Sequence, residues 1–290
     1  MIKRHKILFS IIAVLFLIQA GLLFLLWRPV ASGIVLRTFY ESPNFINSLY
    51  NYGQNEIPQI SNHVYAGIVP HHLIVGDKIA AFYSGLSKEN YQTVILLSPD
   101  HFDMTPEKII IGDADWQTPY GLLKNDDKLA RKISSSTGAE YYYGDARLQH
   151  EHGINYELPF IKRSFPRAKI VAIIMKKDVD KNDLDKLEMA IEKNTQPDKI
   201  LLLVSTDFSH DASAAVAETR DIVSNKIIGS LDLSDYEKIS ADCPSALYVV
   251  MKYSADLNLT PKLLWHTNSG ILTGKPLENS TSHNFYYFGK

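Results

Sequence analysis

The chain has one cysteine, Cys243, in 290 residues, so no disulfide can form within it. It also lacks a charge excess of either sign: 30 Lys and Arg stand against 32 Asp and Glu, a formal net charge of -2. No basic cluster occurs beyond the first six residues. Nucleic acid is thereby excluded as the main partner, because phosphate binding needs a clear surplus of Lys and Arg. No internal repeat and no low-complexity tract is visible, which excludes solenoids and propellers. What is present is 46% hydrophobic and 21% charged residues. That balance fits a folded chain with a sizeable core, not a disordered or fibrous one.

Long uncharged runs are scarce, with one exception. Met1–Lys6 carries three cations, and Ile7 to Trp27 follows with no charge, broken only by Ser10, Gln19 and Gly21. At about 1.5 Å per residue this run spans roughly 30 Å, the hydrocarbon thickness of a bilayer. A cleaved signal peptide has a shorter apolar region, of ~7–15 residues, and a small-residue cleavage site. Val30-Ala31-Ser32 is a poor one, and a cleaved signal is the alternative reading. The pattern predicts residues 1–6 as a cytoplasmic tail and 7–27 as an uncleaved transmembrane anchor. The positive tail then leaves the bulk of the chain extracytoplasmic, in a periplasm or outside the cell. Residues 28–62 read as linker and lead-in, and 63–290 as the folded domain.

From Val64 onward short apolar runs alternate with helix-like stretches. The runs are His63–Val69, Thr93–Leu97, Ile109–Ile111, Lys169–Met175 and Ile200–Val204. Leu184, Leu187, Ala190 and Ile191 recur at helical spacing with charges between them. This alternation predicts a single α/β domain with a mainly parallel or mixed central sheet flanked by helices. His283–Phe288 (HNFYYF) reads as a closing strand. In such sheets ligands gather beyond the carboxyl ends of the strands.

Three of those ends carry histidine. Pro70-His71-His72, Ser98-Pro99-Asp100-His101 and Ser205-Thr206-Asp207-Phe208-Ser209-His210 each follow an apolar run. The run ending at Met175 continues as Lys176-Lys177-Asp178 and serves as a control, so the pattern is not automatic. Any one of these histidines alone reads as a loop side chain. Together, brought to one edge by parallel strands, they have the composition of a metal site. Asp100 and Asp207 are placed to act as ligands or as acceptors behind a ligand imidazole. His150-Glu151-His152 adds a ligand or proton-transfer group, or is simply a polar helix start. Cys243 alone reads as a small buried hydrophobe.

Taken in order, "GIVPHH", "LLSPDHF", "EHGINYELPFI", "VSTDFSH" and "SADCPSAL" resemble the Memo family (mediator of ErbB2-driven cell motility), whose prokaryotic members are called AmmeMemoRadiSam system protein B. The ending "TNSGILTG…SHNFYYFG" agrees, and the resemblance covers roughly residues 35–290. It implies a fold related to the LigB-type class III extradiol dioxygenases, which are non-haem iron enzymes with two histidines and a carboxylate. It further implies His71, His101 and Cys243 as metal ligands, the cysteine standing where the dioxygenases supply a carboxylate. Asp207, His210 and His152 are implied as pocket residues with catalytic roles, and His72, Asp100 and Glu151 as supporting groups or alternative ligands. Two departures are visible: His72-Leu73 replaces the family's Ala-Gly, adding a competing imidazole, and Pro244 follows the cysteine in place of Gly.

A His-His-thiolate set suits Fe(II), and also Cu(I) or Zn(II). Three activities remain open on the sequence: dioxygenase-like or redox chemistry, zinc-dependent hydrolysis, and non-catalytic binding of copper, iron, a small molecule or a peptide. Family association alone suggests AMMECR1-like and radical SAM proteins as partners.

Overall fold

Four apolar runs, buried along nearly their whole length, make the centre of the fold. They are seen in a computed structural model that describes residues 34–53, 60, 62–103, 106–137, 140–142 and 146–290. The unit formed by residues 34–290 begins with β1 (Val35–Arg37), the helix Pro43–Gly53 and β2 (Val64–Val69). After the helix Gly76–Leu86 come β3 (Thr93–Pro99), β4 (Ile109–Gly112), β5 (Asp115–Thr118) and β6 (Gly121–Leu123). β7 (Glu140–Tyr142), β8 (Lys169–Met175), β9 (Ile200–Ser205) and β10 (Phe208–Ala212) follow. The chain ends with β11 (Thr260–Asn268) and β12 (Ser280–Gly289).

β2, β9, β3 and β8 lie side by side and parallel. Antiparallel β12 extends the sheet beside β2, with β10 and β11 paired to it, and β4 runs antiparallel beside β8. β1, β5 and β6 form a separate three-stranded sheet. The alternation of side chains sorts the core into two layers. Ile95, Leu97, Val171, Ile173, Leu202 and Val204 face one layer. Their neighbours Val94, Leu96, Ile170, Ala172, Leu201 and Leu203 face the other. The helices Asp127–Thr137, Lys181–Asn194, Ala214–Ser230 and Pro244–Asp256 cover the first. Pro43–Gly53, Gly76–Leu86 and Leu158–Ser164 cover the second.

The expected α/β sheet flanked by helices is present, and it is mixed. Within the segment read as linker and lead-in, β1 and the helix Pro43–Gly53 are ordered parts of this unit. Phe39 between them donates its backbone N–H to Asn155 Oδ1 at 2.6 Å.

The membrane-anchored architecture and the extracytoplasmic location need correction. Among the described residues no helix is long and apolar enough to cross a membrane, and the segment 7–27 lies outside the described residues. The helix Ala214–Ser230 has 17 residues and carries Glu218, Arg220, Asp221 and Lys226. Such a helix is both short and too charged for a bilayer core.

Candidate metal centre

The carboxyl ends of the four parallel strands are stitched together by backbone hydrogen bonds. Thr206 N–H donates to Val69 O at 3.0 Å, and Asp100 N–H to Met175 O at 2.8 Å. Asp242 N–H donates to Asp207 O at 3.1 Å, bringing the loop before the helix Pro244–Asp256 onto the same edge. The residues that follow each strand therefore share one small volume.

His71 is buried at 2% exposure. Its Nδ1 pairs with Ser205 Oγ at 3.0 Å, which turns Nε2 toward two carboxylates. That atom lies 3.4 Å from Asp242 Oδ2 and 3.6 Å from Asp207 Oδ2. His101 is set in the mirror sense. Its Nδ1 pairs with Glu151 Oε1 at 2.7 Å, and its Nε2 lies 3.5 Å from the same Asp242 Oδ2. Asp242 is itself fixed, with Thr206 Oγ1 donating to Oδ1 and Asp207 N–H donating to Oδ2 at 3.1 Å. His152 stacks on His101 with ring centroids 3.9 Å apart and stands 5.1 Å from His71.

Burial dominates the electrostatics and divides the groups. It pushes His71 down to about 4, so this imidazole is neutral. Burial also acts against a charge on His101, but hydrogen bonds to Asp242 and Glu151 outweigh it and hold His101 up at about 10. His152 is lowered by burial and by the neighbouring His101 charge. Asp242 resists the upward push of burial through its hydrogen bond to His101 and the nearby His71, and ends below the usual range. Asp207 goes the other way, raised well above the ordinary value by burial and by the charge of Asp242. The protonated His101 sits between two carboxylates and supplies positive charge at the point where the donors converge.

His71, His101 and His152 are brought together as one group whose ring nitrogens lie within 4.8 Å of one another. Asp207 and Asp242 form a second such group with His71. Glu151, with none of its surface exposed, serves as support to His101. Cys243 is not among these donors. Its Sγ points to Met175 O at 3.7 Å, the residue starts the helix Pro244–Asp256, and burial pushes its thiol up. Asp100 also stands apart, with Oδ1 accepting from Phe102 N–H at 3.3 Å. His72 turns away from His71 and meets His283 at 2.9 Å. His210 is close enough to both of these rings to depress them, and its carbonyl accepts from Arg220 at 3.3 Å.

Asp242 and His283 are the residues that sequence reasoning missed. The signal for Asp242 was its position directly before Cys243, in a segment the sequence had already singled out. His283 lay in the closing strand, where β-alternation hides which face a side chain takes. The outer wall of the site opens on a cleft of about 550 Å³ lined by Phe39, Phe102, His150, His152 and Tyr156.

Residues 38–275 match the family model described as Memo-like protein. A MEMO1 family protein of Thermoplasma volcanium is 26% identical over 256 residues, 85% of this chain and 92% of that protein. One from Nitrosopumilus maritimus is 24% identical over 262 residues, 85% of this chain and 94% of its own length. An uncharacterised protein of Escherichia coli K12, known from a crystal structure, superposes with a TM-score of 0.48 at 11% identity, over 75% of this chain and 98% of that one.

Proposed function

The chain belongs to the family of Memo-like proteins, and from that premise we propose that it holds a metal ion through His71, His101 and Asp242 and carries out redox chemistry on a small molecule. The observation that carries this reading is the convergence of three donor atoms. The Nε2 atoms of His71 and His101 lie 3.4 and 3.5 Å from one oxygen, Asp242 Oδ2. Atoms bonded to one ion at ~2.1 Å stand about 3.0–3.5 Å apart for right to tetrahedral angles. Both imidazole nitrogens thus approach one carboxylate oxygen at spacings that a shared ion accommodates. Each is also held from behind by Ser205, Glu151 or Thr206, the usual second layer of a metal site.

Two imidazoles and one carboxylate, with positions left open, form the donor set of non-haem Fe(II) oxygenases. A carboxylate in the place expected for the Cys243 thiolate makes the set harder. That weakens the case for Cu(I) and favours Fe(II), with Zn(II) next. When bound, Fe(II) would supply a Lewis acid and a one-electron partner for oxygen. The chain's own groups do the rest. His152 faces the cleft as a half-buried imidazole kept neutral by burial and by His101, so it can accept a proton from a substrate entering there. Phe39, Phe102 and Tyr156 supply apolar surface for a small aromatic or similarly flat molecule. Asp207, raised well above the ordinary carboxylate value by burial and by Asp242, forms the inner wall.

The test is elemental analysis of the full chain purified without oxygen. His71→Ala, His101→Ala and Asp242→Ala should each lose one equivalent of iron, while Cys243→Ser keeps it. Unchanged metal in the first three would remove the centre. Oxygen uptake with a catechol-type probe separates redox catalysis from metal handling. Turnover of an ester with zinc and no oxygen demand would favour hydrolysis instead.

A further inference from the structure

Adjacent histidines at the end of β2 turn in different directions, and only His71 is used by the centre above. His72 faces the opposite neighbour, β12, which lies between β2 and β10 in the sheet. Its Nδ1 meets His283 Nε2 at 2.9 Å. A carboxylate oxygen of Asp207 completes a group whose donor atoms all lie within 4.8 Å of one another. His283 has none of its surface exposed and Asp207 has 4%, whereas His72 is partly open to solvent.

We propose that His72, His283 and Asp207 form a second divalent-metal position beside the first. It shares none of the three ligands of the first, so it does not depend on that reading. Three observations carry it. Two donors at right angles on one ion with bonds of ~2.1 Å stand about 3.0 Å apart, close to the spacing of the two imidazole nitrogens. Asp207 presents one oxygen, Oδ2, to His71 at 3.6 Å, while the other, Oδ1, is buried without a hydrogen-bond partner. A buried carboxylate oxygen left alone is costly, and an ion between Asp207 and the imidazole pair removes that cost. Finally, two imidazoles and a carboxylate suit Zn(II), Fe(II), Co(II) or Mn(II) over the alkaline earths. Asp207 stands between the two positions, and paired ions flanking one carboxylate clamp a substrate from two sides. The partly open His72 leaves a coordination face toward solvent for an oxygen-bearing ligand.

The experiment is equilibrium dialysis of the metal-free full chain against Co(II) under argon, with metal counted per chain and the visible Co(II) spectrum recorded. The wild type should bind two equivalents. His72→Ala and His283→Gln should each bind one, and the double variant His71→Ala with His101→Ala should keep the His72 site and also bind one. Should His283→Gln fail to fold by circular dichroism, His72→Ala decides, since its side chain is partly exposed. Two equivalents retained in His72→Ala and His283→Gln would overturn the second site. So would a wild type with one equivalent that only the His71 and His101 changes remove. A wild type with one equivalent that the His72 and His283 variants lose and the double variant keeps would uphold this site and remove the first. No bound Co(II) in any form would remove both.

Discussion

Glu151 grips His101 at two points: Oε1 faces ring Nδ1 at 2.7 Å, and Oε2 accepts from the His101 backbone N–H at 3.0 Å. The same Oε1 accepts from Gly153 N–H at 2.9 Å. One buried carboxylate thus fixes the ring, its backbone and the start of the short helix His152–Asn155. The position of His101 Nε2 follows from this clamp and not from the strand end alone.

Replacing Glu151 with Gln keeps the size and removes the charge. One of the amide's two ends must then face a donor, so His101 loses either its ring or its backbone anchor. Metal affinity should fall by about 10–100-fold, the usual effect of losing such support. Competition titration against a chromophoric chelator reads this, with circular dichroism unchanged. Unaltered affinity would show that Glu151 does not orient the ring.

Metal affinity should rise with pH. His101 is held up at about 10, so at neutral pH an ion must displace its proton. The slope is then about tenfold per pH unit through the neutral range. His71, lowered to about 4, is already neutral there and adds nothing to the slope. Calorimetry in buffers of different ionisation enthalpy should find about one proton released per ion at this position. The sign for the metal-free fold is opposite. A raised histidine stabilises below its unfolded value, and that contribution is lost as pH climbs through about 10. A flat affinity profile would contradict the proton on His101.

Gly153 has no room for a side chain. A Cβ there would collide with Ser98 Oγ and stand 3.2 Å from His71 Nδ1. Gly153→Ala should destabilise the fold by about 1–3 kcal/mol through overpacking. It should also push His71 off its Ser205 partner and weaken metal binding. Denaturant unfolding and metal titration check the two effects separately.

Cys243 should resist thiol reagents in the native protein. It is wholly buried, and burial raises its thiol well above the ordinary range, leaving almost no thiolate to react. Ellman's reagent should label it only after denaturation. Fast labelling of the folded chain would place the thiol at the site surface after all.

The parallel centre of the sheet was legible because buried strands write themselves as continuous apolar runs. Ile200–Val204 and Lys169–Met175 each became a strand nearly as read. The gathering of His71, His101 and Asp207 was legible for the related reason that parallel strands end on one edge. β10 was not, because Phe208–Ala212 (FSHDA) mixes polar residues and joins the sheet through β12. The helical anchor was read from hydropathy alone, and no helix among the described residues answers to it.

What the sequence determined by itself is which strand ends carry chemistry: apolar runs set the sheet, and polar residues directly after them must lie along its carboxyl edge. What only the tertiary structure decided is which of two adjacent side chains enters the site. Asp242 and Cys243 are neighbours, as are His71 and His72, and spacing along the chain cannot separate them. The backbone direction at the start of the helix Pro244–Asp256 turns Asp242 to the histidines and Cys243 to Met175. Likewise the turn after β2 sends His71 to Asp242 and His72 to His283. Successive side chains leave the backbone in different directions, so identity and order suffice for a fold, while the choice of ligand waits for three dimensions.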